Sequence, residues 1–121
     1  MRVVKLYRIL ILAIALAVPC VSHAEYWTGY SLKEMIDASD RSDNGNPTNA
    51  DHLNHFRLFG FVVGVHDAVE GLTICVPAET KVGQLVAVVK KYYRNNPEKW
   101  NMSAAALVEQ ALSKAFPCKK K

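Results

Sequence analysis

Residues 51–75, DHLNHFRLFGFVVGVHDAVEGLTIC, decide the fold. The stretch reads as one long helix starting near Pro47 or Thr48 and running to about Glu70. Leu53, Phe56, Phe59 and Val63 fall on one face at helical spacing. Leu58, Val62, Val65 and Val69 fall on an adjacent face. So wide an apolar stripe predicts contact with more than one neighbouring helix. Gly60, Gly64, Asp67 and Gly71 form a further stripe. A glycine inside a helix costs about 1 kcal/mol relative to alanine. We therefore expect Gly60, Gly64 and Gly71 to mark helix packing, with another backbone crossing at close range; the alternative is a kink. On that expectation Gly64→Leu destabilises more than Gly83→Leu. Gly71 also suits a helix C-terminus, and Cys75 follows just beyond it.

Outward from this helix, the flanks alternate stop signals and helical patterns. Ser31 with Glu34 makes a capping box, predicting a helix from Leu32 to about Ser39 with Leu32, Met35 and Ile36 inward. Asp40 to Asn49 holds nothing apolar and reads as a solvated loop. Its acidic residues lack the spacing and terminal glutamate of a calcium loop. Leu72 to Glu79 is an extended crossing. Thr80 is the expected cap of a helix reaching about Arg94, buried through Val82, Leu85, Val86, Val89 and one of Tyr92 or Tyr93. Asn95-Asn96-Pro97 ends it. Ser103 caps a last helix, Ala104 to Phe116, with Leu107, Val108, Ala111, Leu112 and Ala115 inward, and Pro117 closes it before Cys118. The fold class expected is all-α, a small bundle of about four helices stapled by one disulfide.

The N-terminus reads differently. Arg2, Lys5 and Arg8 precede ten apolar residues, Ile9 to Val18, broken by Pro19. Ser22-His23-Ala24 supplies small residues at the positions a signal peptidase reads. Residues 1–24 are therefore expected to be a secretory signal, cleaved after Ala24. The run falls short of the roughly 20 residues of a transmembrane helix, so no stable membrane anchor is expected after removal. Pro19 is not the small residue a lipid-modified Cys20 requires. Residues 25–118 are then a single domain, and 119–121 a basic tail.

Removal of the signal cuts the formal charge of +4 to nearly neutral, because it takes three basic residues and no acidic ones. The basic precursor is therefore no argument for nucleic-acid binding. Lys90-Lys91-Tyr92-Tyr93-Arg94 interleaves bases and aromatics as nucleic-acid surfaces do, but it reads better as a buried tyrosine beside a solvated face. Of three cysteines, Cys75 and Cys118 remain. An even count in an exported chain predicts a disulfide between them; two free thiols are the alternative.

Little in the chain carries chemistry. His52 and His55 lie three apart, without a third ligand at matching spacing, and zinc held by two protein ligands is not stable. No catalytic residue, cofactor or metal is expected. Trp100, beside Lys99, is the largest apolar side chain outside the helix faces, and tryptophan is frequent at binding hot spots. Asn96, Lys99 and Trp100 in one connector, and Asp43 and Asn46 in the polar loop, are candidate partner contacts. The alternative reading of Trp100 is a cover over the core between the last two long helices.

Several runs together carry a resemblance. They are FRLFGFVVGVHDA from Phe56, Ile74-Cys75-Val76-Pro77, Val82-Gly83-Gln84-Leu85-Val86, Tyr92-Tyr93 before Asn96-Pro97-Glu98, and Ala115-Phe116-Pro117-Cys118. In order and spacing they resemble the Rap/Tai family, immunity proteins of type VI secretion systems in Gram-negative bacteria. The resemblance implies a small periplasmic helical protein, often a homodimer, that binds a peptidoglycan amidase effector and blocks its cleft. The matching positions are framework, and toxin-contacting surfaces are expected to vary. The competing reading is a periplasmic acid or stress chaperone, against which few histidines and no marked acidic cluster speak.

Overall fold

The computed structural model describes residues 27–119, together with Met1. The predicted signal peptide and its cleavage site lie outside the described residues, apart from Met1. Among the described residues four α-helices follow one another: α1 Gly29–Asp43, α2 Asn49–Val69, α3 Val82–Asn95 and α4 Ala104–Ala115. A single 3-10 turn, Pro97–Lys99, joins the last two. Among the described residues there is no strand, only isolated bridges, so the all-α expectation holds. One core joins all four helices, with Leu32, Ile36, Leu58, Ile74, Leu107 and Leu112 almost free of solvent.

Helix α1 starts before its sequence signal. Its N-cap is Thr28, and Ser31 sits inside the first turn. The cause is tertiary. Thr28 pairs with Ser103, the Ala104 N–H donates to Trp27 O at 2.8 Å, and the Gly29 N–H donates to Met102 O at 2.9 Å. The chain turns helical as soon as that pairing ends. The helix also runs past Ser39 to Asp43. The predicted loop therefore shrinks to 44–48, turning at Gly45 with φ +84°.

Helix α2 is capped as its sequence implies. Thr48 Oγ1 accepts from the Asp51 N–H at 3.2 Å, and Asp51 Oδ2 accepts from the Thr48 N–H at 3.0 Å. The helix ends before Gly71, whose φ of +76° is open to glycine.

Two expectations for α2 fail. The face of Leu58 and Val62 is buried, but Leu53 and Phe56 are 55% and 67% exposed. Neither do Gly60, Gly64 and Gly71 pack helices within the chain: a Cβ at any of them would meet nothing within 4 Å. Gly60 and Gly64 lie on the solvent side of α2, turned away from the core that Val62 enters, and Gly71 lies beyond its end. The close backbone approach is at Gly29, where a Cβ would stand 2.4 Å from Trp100 O and 2.8 Å from Trp100 Cα.

Helices α3 and α4 bury the faces their patterns indicate, with exceptions at the ends. Val82 is 40% exposed, and Ala115 is exposed too. The cap of α3 is Lys81 rather than Thr80, its N–H donating to Gln84 Oε1 at 2.8 Å. Ser103 Oγ accepts from the Ala106 N–H at 3.1 Å, as its cap position predicts. Beyond α4, Cys118 is bonded to Cys75. The same strap is laced by the Cys75 N–H donating to Phe116 O at 2.9 Å and by the Ile74–Pro117 bridge.

Candidate functional site

The connector after α3 is occupied by the fold. The Trp100 ring stacks on Tyr93 at 4.8 Å and 2° between planes, and its Nε1 donates to Tyr93 O at 3.1 Å. Lys99 Nζ donates to Tyr92 Oη at 2.8 Å and to Gln110 Oε1 at 3.1 Å. Asn96 Nδ2 donates to Tyr92 O at 2.7 Å, closing α3. Trp100, half-buried, thus covers the core between α3 and α4. Tyr93 is the buried tyrosine of the pair; burial first, then the negative field of Asp37, pushes its phenol up to about 12.

Asp43 and Asn46 lie elsewhere. Fifteen residues of α1, about 21 Å at 1.5 Å per residue, separate them from the Gly29 end that touches Trp100. Asp43 and Trp100 are therefore not brought together. Around Asp43 the structure builds a charged cluster that sequence reading left unpaired. Lys90 Nζ lies 3.0 Å from Asp43 Oδ2 and 3.1 Å from Asp40 Oδ1, and Arg94 pairs with Asp40. Lys90 is buried, 8% exposed. Burial alone raises the Asp40 pKa, but its bonds to Arg94 and Lys90 outweigh that and leave it below the ordinary aspartate value. A signal was available: Asp40 and Asp43 at i, i+3 match Lys90 and Arg94 at i, i+4. Each pair fits one helix face, and the two faces carry opposite charge.

A second ionic link ties α1 to the start of α2. Arg41 Nε and Nη2 donate to Asp51 Oδ1 at 2.9 and 2.6 Å. This Arg41 bond first, then the Thr48 N–H, holds the Asp51 carboxyl far below the usual carboxylate range.

Both aspartates bind protons less readily in the folded chain than in the unfolded one. Their contribution to stability is whole above the unfolded aspartate pKa, near 3.9, and is lost as pH falls through the lower folded values. Acid titration followed by circular dichroism should show stability falling over that window. Asp51→Asn should flatten part of the fall, and an identical acid profile in the variant would refute the assignment.

The histidines are dispersed. His55 Nδ1 is 3.1 Å from the buried Ser39 Oγ, with its ring stacked on Phe59 at 4.7 Å. His66 lies between Asp67, 2.8 Å away, and Glu70, 3.1 Å away. Among the described residues no group of three His, Cys, Asp or Glu side chains is placed to hold a metal ion. No described helix is long and apolar enough to cross a membrane.

The remaining surface feature is the outer side of α2. Beside it a groove of about 540 Å³ runs along α4, walled by Gly60, Gly64 and Ala68 on one side and Ala105, Ala106 and Glu109 on the other.

A family model described as Rap1a immunity proteins matches residues 28–118. No curated protein matches the chain. The matched span begins at Thr28, whose backbone pairs with Ser103, and ends at Cys118, which closes the disulfide. Its limits are the two points at which the chain is fastened.

Proposed function

The chain belongs to the Rap1a immunity protein family, and from that premise we propose that it is a periplasmic inhibitor of a cell-wall amidase delivered by a type VI secretion system. The family match over residues 28–118 carries this reading. The Cys75–Cys118 bond supports the compartment, because disulfides persist in oxidising spaces such as the periplasm. An inhibitor of this kind works by occupying a surface rather than by chemistry. It needs a rigid body and a complementary face.

Among the contact residues read from the sequence, Asp43 and Asn46 suit toxin contact better than Asn96, Lys99 and Trp100. The Asp43 side chain is 58% exposed beside the Lys90 and Arg94 cations. The connector side chains are half-buried as well as held inside the domain, whereas Asp43, though paired with Lys90, stays open to solvent. A second copy of the chain is the other partner in this reading, giving a homodimer.

The test pairs the mature chain with a peptidoglycan amidase that co-purifies with it. An equimolar amount should abolish release of peptide from purified peptidoglycan. Undiminished hydrolysis, together with protection of unfolded proteins at strongly acidic pH, would replace the inhibitor with a chaperone.

A further inference from the structure

Helix α3 carries three cations, Lys90, Lys91 and Arg94, and no acid. Lys90 and Arg94 turn toward α1, where Asp40 and Asp43 pair with them. Lys91, about 100° further round the helix than Lys90, lines a cleft of about 290 Å³ shared with α4, where Lys114 joins it. Both lysines are exposed, and among the described residues neither has a carboxylate within 4 Å. The one acid of α4, Glu109, lines a different groove, beside Gly60 and Gly64. A cation in the last turn favours its helix. That accounts for Lys114 at the end of α4, but not for Lys91, because Arg94 already fills that place in α3.

Between the two charges the cleft is apolar, lined by Val88, Ala111 and Ala115. Its volume is at the lower end for ligand pockets, so it fits the end of a chain rather than a length of one. The polar groups at its rim are donors. Asn96 already donates to Tyr92 O, and the Tyr92 hydroxyl is engaged with Gln110 and Lys99. The exposed Asn95 amide is left for a peptide group. Two ammonium groups without counter-ions over a small apolar floor complement a carboxylate on a small apolar body, and they repel a cation.

We propose that this cleft takes the free carboxylate end of a short cell-wall peptide, its terminal methyl against Ala111 and Ala115 and its carboxylate between Lys91 and Lys114. The chemistry of the ligand follows from the cleft. The wall as its source rests on the periplasmic reading of the proposed function. Wall peptides end in D-alanine, which supplies both the methyl and the carboxylate. Holding such an end keeps the domain at the wall, beside the substrate of the amidase it inhibits.

Titration of the isotope-labelled mature chain with N-acetyl-D-Ala-D-Ala, followed by NMR, tests this. Backbone signals of residues 88–96 and 111–115 should shift with a Kd of about 1 mM, the strength usual for a ligand of this size. The same dipeptide with its carboxyl capped as the amide should leave them unmoved. Lys91→Gln and Lys114→Gln should each weaken binding about threefold, the measure of an exposed charge pair, and together about tenfold. Lys81→Gln removes an equal charge elsewhere and should change nothing. Ala115→Leu fills the floor from an exposed position and should abolish binding with helix content unchanged.

No shift up to about 20 mM, well above that Kd, overturns the site. So does equal binding of acid and amide, or binding indifferent to the double lysine variant. Tighter binding of N-acetyl-L-Ala-L-Ala gives the cleft to the C-terminus of a protein and overturns the wall as its source. No amidase enters the titration, so this site and the inhibitor reading can fail independently.

Discussion

Replacing Cys75 and Cys118 together by alanine lowers the melting temperature by ~15–30 °C. The bridge closes a loop of 43 residues in sequence separation. On the chain-entropy account it stabilises the fold by ~4 kcal/mol, chiefly by restricting the unfolded chain. In a domain of this size, ~1 kcal/mol moves the midpoint by several degrees. The structure adds a reason for a large effect. Cys75 and Cys118 lie on the strap that seats the end of α4 against the segment leaving α2, where Ile74 is fully buried. Cys75 is exposed, so a reductant reaches the bond without prior unfolding. A thermal scan in dithiothreitol should show the same loss, and superimposable curves with and without reductant would remove the bond from any account of stability.

Gly29→Ala produces the next largest effect. The added methyl enters a space already held by Trp100 O, Trp100 Cα and Leu107 Cδ1, all within 2.8 Å of it. The two Trp100 atoms are backbone and cannot yield cheaply. Trp100 is stacked on Tyr93, and the Gly29 N–H is tied to Met102 O. Overpacking of this sort costs ~1–3 kcal/mol and sometimes more. The urea midpoint should fall accordingly. Gly83→Ala is the control: its Cβ meets nothing within 4 Å, and alanine favours a helix, so its midpoint should hold or rise. Equal behaviour of the two variants would show that Gly29 is not the tight contact. The expected difference between Gly64→Leu and Gly83→Leu disappears for the single chain, since both positions are open.

What could be read from sequence was local, and what could not was relational. Thr48 with Asp51, and Ser103 with the Ala106 N–H, are caps made within one turn, so residue type and spacing identify them. Ser31 with Glu34 presents an equally good motif, yet Thr28 begins that helix. The decision belongs to Ser103 and Met102, more than 70 residues away in sequence. The α2 glycines were ambiguous for a similar reason. Their cost in helix propensity reveals that the positions lack side chains, but not which side of the helix they occupy. Leu53 and Phe56 satisfy a helical period as well as Leu58 and Val62 do. Only the placement of α1 and α4 separates the covered face from the bare one. Trp100 carried two readings, and its ring on Tyr93 assigns it to packing.

The pairing of Trp27 and Thr28 with Ser103 and Ala104 has a consequence in time. The final helix is held at its beginning by the first described residues and at its end by the strap to Cys75, and it brings Leu107, Val108, Ala111 and Leu112 to the core. A ribosome that has not yet reached Ala104 has therefore made a chain whose core is open along one whole side. No earlier segment substitutes for the missing helix. Such a chain stays unfinished until Ala104–Ala115 and Cys118 have been made.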